Sequence, residues 1–142
     1  MKYPNNWFDF AADDIEGGEI LLREGKYNLA CFHAQQAAEK ALKGFLVYTK
    51  TSSPRIHNLP ELLDECSAIN SSFDNLLSRA ITLNQFYAPT RYPDAPAGSL
   101  PSGMPDKTTA EKALVYAKEI FSFCLDAVRQ IDRMRHDRSN DR

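Results

Sequence analysis

The sequence carries no excess of positive charge. With 17 Lys and Arg against 19 Asp and Glu, its formal net charge is −2. No general electrostatic pull toward nucleic acid or an anionic membrane is expected, and any polyanion contact must use a local patch. No apolar run approaches the roughly 18 residues of a membrane span. The opening MKYPNNWFDF lacks the apolar centre of a secretory signal, so no membrane association and a cytoplasmic location are expected. Three cysteines, Cys31, Cys66 and Cys124, are odd in number, widely spaced and without CxxC spacing. They are expected as buried free thiols in a reducing compartment. His33, His57 and His136 are far apart, and no His-x3-His or Cys-x2-Cys pair could seed a metal site. Nothing marks a Ser/His/Asp or Cys/His triad. There is no Gly-rich phosphate loop, no convincing strand alternation and no internal repeat. The pattern calls for no metal and no cofactor.

What is there is helical periodicity. The 142 residues suit one domain with a core of its own, expected over 1–134 with a charged tail at 135–142. A first helix is expected from Asn5 or Asn6, with Trp7, Phe10, Ala11, Ile15, Ile20, Leu21 and Leu22 as its apolar positions and Gly25 just past its end. A second is expected from about Lys26 to Thr49. Tyr27, Ala30, Ala34, Ala38, Ala41, Phe45 and Tyr48 form one face in steps of three and four, and the small alanines suit the central helix of a bundle. Asn58-Leu59-Pro60-Glu61 reads as the capped start of a third helix. A fourth is expected over Phe73–Tyr87. The segment 88–106 follows, with five of the eight prolines, as a loop too long for a plain connector. Thr108-Thr109-Ala110-Glu111 reads as the capping box of a fifth helix, whose core stripe runs to Ile131 before RQIDRMRHDRSNDR frays. The fold class is all-α: an up-and-down bundle of about five helices with one long Pro-rich loop before the last.

Several signals follow one another in a specific order. Trp7 sits early on helix one. Gly25-Lys26-Tyr27 turns into FHAQQAAEKALKGFL. His57-Asn58-Leu59 opens the next helix, with Leu62-Leu63 behind it, and Arg91-Tyr92-Pro93-Asp94 follows a helix ending in Phe86-Tyr87. Together they resemble the HEPN family (higher eukaryotes and prokaryotes nucleotide-binding) over about residues 5–130. That resemblance implies a helical bundle, usually a homodimer. It implies relatives encoded beside or fused to small nucleotidyltransferases, some paired as toxin and antitoxin, many binding nucleotides, and others cleaving RNA without metal through an Arg-x4-6-His motif. Here only Arg129 and His136 have that spacing. Gln130 stands where the motif has a small polar residue, so a ribonuclease activity is not expected.

The candidate nucleotide- or phosphate-binding residues are Arg91, Tyr92, Asp94, His57, Lys40 and His33. Pro93 forces Tyr92 to be extended, which offers an Arg fork beside a ring suited to a phosphate and a base; the structural alternative is an Arg91–Asp94 ion pair closing the loop. His57 stands at a helix start, where free N–H groups collect anions, or it fixes the helix entry by a hydrogen bond. His33, Gln36, Lys40 and Lys43 share about a quarter of the second helix's circumference. They form a ligand edge or a solvated seam, with Glu39, Asp13, Asp14 and Glu16 as counter-charges and Gln35 one turn from Glu39. The expected function is a nucleotide- or partner-binding helical protein acting with a separately encoded nucleotidyltransferase. The alternatives are a metal-independent RNA-cleaving toxin or a non-catalytic dimeric scaffold.

Overall fold

The computed structural model describes residues 2–50, 55–87 and 104–140, with side chains through 138. Five α-helices follow one another: α1 (Asn6–Arg23), α2 (Tyr27–Lys50), α3 (Leu59–Ile69), α4 (Leu77–Asn84) and α5 (Lys107–Asn140), with a 3-10 helix at Ser71–Leu76. No strand occurs among the described residues, and the architecture is the all-α bundle expected. The long helices α1, α2 and α5 pack against one another, and the short elements from α3 to α4 close the bundle against α2 and α5.

Local chemistry sets the first turn-around. Asn5 is extended, and its side-chain oxygen accepts from the N–H groups of Trp7 and Phe8 at 3.1 and 3.4 Å, two donors that no helical partner can reach. At the other end Gly25 has φ +75°, a left-handed conformation that costs a glycine nothing in side-chain clash. Gly25 N–H then reaches Leu22 O and Lys26 N–H reaches Leu21 O, the paired bonds of a Schellman stop. Three residues suffice to send the chain back antiparallel.

α2 is central, as the alanine face implies. Ala30, Ala34, Ala37, Ala38, Ala41, Leu42, Phe45 and Leu46 are fully buried. Two glycines let neighbours approach closely. A Cβ on Gly18 would stand 2.7 Å from Leu114 Cδ2 of α5, and a Cβ on Gly44 would stand 2.8 Å from Cε2 of the fully buried Phe8. Beside that contact the Asn5 amide donates to Gly44 O at 3.0 Å, so one asparagine caps α1 and ties it to α2.

Four sequence expectations are corrected. On α1 the core side is Phe8, Ala11 and Gly18, whereas Phe10 and Ile20 are 59% and 45% exposed; the docking of Phe8 on Gly44 sets the rotation. The fourth helix is split. Asn70 accepts from Ser72 N–H, and Phe73 N–H bonds Asn70 O three residues back, giving a 3-10 segment that aligns buried Phe73 and Leu76 before α4 begins. The cap of α5 is Asp106, not Thr108: its carboxylate accepts from Thr109 N–H at 2.8 Å. Those hydrogen bonds from Thr109 lower the Asp106 pKa. Finally, α5 stays helical through Asn140. At 34 residues it is about 50 Å long, against about 36 Å for α2, and residues 132–138 are all exposed.

The glycine geometry generates a paired prediction. Gly44→Ala adds a methyl against a buried ring and should destabilise the fold by about 1–2 kcal/mol net of its helix-propensity gain. A Cβ at Gly17 meets nothing within 4 Å, so Gly17→Ala should stabilise by about 0.5–1 kcal/mol. Urea midpoints of the two variants should move in opposite directions.

Candidate functional site

The strip on α2 is not a free basic edge, because α1 neutralises its upper part. Asp14 is largely buried; its Oδ1 lies 2.8 Å from His33 Nδ1, and its Oδ2 accepts from Lys40 Nζ at 2.6 Å. One carboxylate thus binds two residues separated by two helical turns. Burial acts to raise the Asp14 pKa, but the hydrogen bonds from His33 and Lys40 and the Lys40 charge outweigh it and leave it lowered. Of the proposed counter-charges, Asp14 fills the role; Asp13 and Glu16 are exposed.

A second cluster lies further around the same helix. Gln35 is fully buried, and Glu39 and Lys43 are each 4% exposed. The Glu39 carboxylate accepts from Lys43 Nζ at 3.1 Å and from Gln35 Nε2, one turn away, at 3.4 Å. Gln36 in turn donates to Gln35 Oε1 at 2.7 Å. Lys43 Nζ also lies 5.6 Å from the centre of the Trp7 ring, within cation–π range. The third partner of Glu39 comes from outside the helix: His57 Nδ1, 3.1 Å from Oε2.

His57 joins this buried network to the surface. Its side chain is 58% exposed, and its ring stacks on Tyr87, with centroids 5.7 Å apart and planes 10° from parallel. A carboxylate only accepts, so Nδ1 carries the proton that the Glu39 bond needs, and in the neutral ring Nε2 is bare. The start of α3 behind His57 offers no spare backbone donor. Leu59 N–H donates to Asn84 Oδ1, Pro60 has none, Glu61 N–H is capped by Asn58, and Leu62 N–H reaches Asn58 O. The anion-collecting helix start read from the sequence is therefore already satisfied, and His57 does fix the helix entry.

Of the six candidates, the structure brings His33 and Lys40 together on Asp14 and places His57 on the separate Glu39 cluster. Arg91, Tyr92 and Asp94 lie outside the described residues; Tyr87, stacked on His57, is the last described residue before that segment. Asp14, Gln35, Glu39 and Lys43 complete the site. The sequence signal for them was the density of Gln, Glu and Lys on a helix whose alanines mark burial, since a buried charge needs a partner. Arg129 and His136 sit two turns apart on the exposed part of α5. Two turns at 100° per residue put them on one face. All three cysteines are buried and free. Burial pushes Cys31 up to about 12 and raises Cys66 and Cys124 as well, so none presents a thiolate nucleophile near neutral pH. No group of three or more metal-ligating side chains occurs among the described residues, and no described helix is long and apolar enough to cross a membrane.

The Asp14 pairing has a measurable signature. Its folded pKa lies below the ordinary 3.8, so its contribution is present above that value and lost as pH falls through the folded one. Asp14→Asn should cost about 1 kcal/mol at pH 7. The gap to wild type should close as both are titrated toward pH 3 and below, read from urea unfolding at each pH.

Known proteins agree with this architecture and place it. A protein of Methanocaldococcus jannaschii named as a candidate toxin, MJ1304, is 23% identical over 138 residues, spanning 92% of this chain and 91% of that one. Among solved structures, TT1696 from Thermus thermophilus superposes with TM-score 0.73 at 35% identity, covering 84% of this chain and 93% of its own. ST0689, an archaeal HEPN homologue, gives 0.70 at 30% identity, covering 90% and 99%. The HEPN domain protein TM0613 from Thermotoga maritima gives 0.69 at 32% identity, covering 88% and 98%. The HEPN domain model itself matches residues 5–131, nearly the whole bundle, and the chain belongs to the HEPN domain family.

Proposed function

We propose that this chain is a phosphate- and nucleotide-binding HEPN protein, working as a homodimer beside a separately encoded nucleotidyltransferase in a toxin–antitoxin-like pair. One observation carries the reading. A network buried at Gln35, Glu39 and Lys43 emerges at a single exposed histidine, His57, whose ring is stacked on Tyr87. Tyr87 stands four residues before Arg91 in the sequence. Burying a carboxylate and an ammonium is costly unless each is partnered, and here the arrangement orients one imidazole from inside, beside Tyr87. In this reading Arg91 forks onto a phosphate, Tyr92 stacks a base, Asp94 orients Arg91, and His57 contacts the same anion. Lys40 and His33, both held by Asp14, serve the outer rim. The exposed Phe10, Ile20 and Leu29 of α1 and α2 suit the apolar part of an interface between two copies.

A second reading, an RNA-cleaving toxin, is favoured by the name of the Methanocaldococcus relative and by the Arg129–His136 spacing on one exposed helix face.

A thermal-shift panel of ATP, GTP, AMP and short RNA separates binding from its absence. A ligand at about 100 times its dissociation constant stabilises by about 2.7 kcal/mol, several degrees for a domain of this size. The shift should appear in the wild type and vanish in Arg91→Ala with its circular dichroism unchanged; no shift with any ligand sinks the binding reading. The nuclease reading demands that His136→Ala or His57→Ala abolish RNA decay by the purified protein. Equal decay in wild type and both variants, or none in the wild type, removes it.

A further inference from the structure

His57 is held in a way that decides when it can bind an anion. Its Nδ1 is committed to Glu39 Oε2 at 3.1 Å, and Glu39 is itself almost fully buried, with Lys43 Nζ on the same oxygen. The carboxylate cannot donate, so the neutral ring keeps its proton on Nδ1 and turns a bare lone pair outward at Nε2. A lone pair repels a phosphate oxygen. Several neighbouring donors among the described residues are already engaged. The first N–H groups of α3 are capped or absent. Lys43 is held by Glu39, and Lys40, on the Asp14 side of α2, is held by Asp14.

We propose that His57 binds a phosphate-type oxyanion only as the imidazolium, so that binding takes up one proton, and that Glu39 is the positioning residue that imposes this coupling. Protonation places a second N–H on the ring at Nε2, facing away from Glu39 on the exposed side. It also changes the local charge count. Glu39 and Lys43 cancel, so the proton on His57 adds a positive charge at the ring edge that an incoming oxyanion meets. The anion in turn stabilises the imidazolium, which is linkage in both directions. Among the described residues, the groups facing the ring are Glu39 and Lys43 from α2, the phenol of Tyr87 stacked against it, and the positive N-terminal end of α3 beside it. Arg55 stands two residues earlier on the same stretch of chain and is exposed. The α3 dipole favours the anion and opposes the proton, and Glu39 favours the proton, so the site is set to gain both together. This rests on the oxyanion contact at His57 proposed above, and adds that the contact is switched by protons rather than constant.

The probe is inorganic sulfate, whose charge does not change over the range in which histidines titrate, about pH 5 to 8. With three histidines in the chain, each labelled imidazole resonance can be assigned by single substitution. In the wild type at pH 8.5, nitrogen shifts should report the proton on Nδ1 of His57. At pH 5.5 sulfate should perturb His57. Its affinity should fall about tenfold for each pH unit above the ring's titration, with one proton taken up per anion by calorimetry in two buffers. His57→Lys, which carries a charge throughout this range, should bind sulfate equally at both pH values. Glu39→Gln, if it folds, should lose the tautomer preference; if it does not, the wild-type tautomer and the lysine variant decide alone. An Nε2–H tautomer, sulfate affinity independent of pH in the wild type, or sulfate that leaves His57 unperturbed would overturn the inference. Nucleotide stabilisation abolished by Arg91→Ala alongside any of these results leaves the binding reading standing without the coupling. Absence of both nucleotide and sulfate effects removes both.

Discussion

A helix buried on almost every side that still carries a carboxylate must bring that carboxylate its donors, and the rest of this structure is arranged around how α2 does so for Glu39. Two donors, Gln35 and Lys43, are one turn away on either side, so they come with the helix itself. The third, His57, comes from the entry to α3, and it anchors the short elements to the central helix at a polar point rather than an apolar one. Asp14 repeats the device from α1, taking His33 and Lys40. Each carboxylate therefore bridges a lysine and a histidine, and in each case the histidine is the more exposed of the pair. Both clusters put an imidazole at the boundary between a fixed interior charge and solvent.

The close approach of the helices is what makes such burial possible. Alanines over most of α2 and glycines at positions 18 and 44 remove the bulk that would hold α1 and α5 away. With the neighbours this near, water is excluded from Gln35 and Glu39, and their hydrogen bonds gain strength from the low local dielectric. Small residues at the crossings and polar residues between them are two parts of one solution. A larger residue at Gly44 would move Phe8 and loosen the α1–α2 contact from which Trp7 reaches Lys43.

The helices, the order of the bundle, the burial of the cysteines and the central role of α2 were legible in the sequence, because they follow from periodicity, caps and residue size. So was the family, carried by the ordered motifs from Trp7 to Asp94. The rotation of α1 was not: Phe8 and Phe10 are equally apolar, and only the pocket left by Gly44 selects Phe8. The 3-10 start before α4 was hidden because Phe73 and Leu76 are spaced alike in both helix types. Asp106 was hidden by a Thr-Thr-x-Glu box that fits the same capping rule two residues later.

The site divides along the same line. The sequence by itself determined which side chains lie on one strip of α2, since 3.6 residues per turn fixes that geometry wherever the helix goes, and it marked His33, Lys40 and His57 as the groups worth following. Only the tertiary structure decided that Lys40 and Lys43 are neutralised, that Asp14 and not Asp13 or Glu16 does the pairing, that the α3 start has no donors left, and that His57 turns Nδ1 inward to Glu39. Those are matters of which elements meet and at what rotation. A sequence lists the charges; the packing of α1, α2 and α3 chooses which of them are paired and which imidazole edges face out.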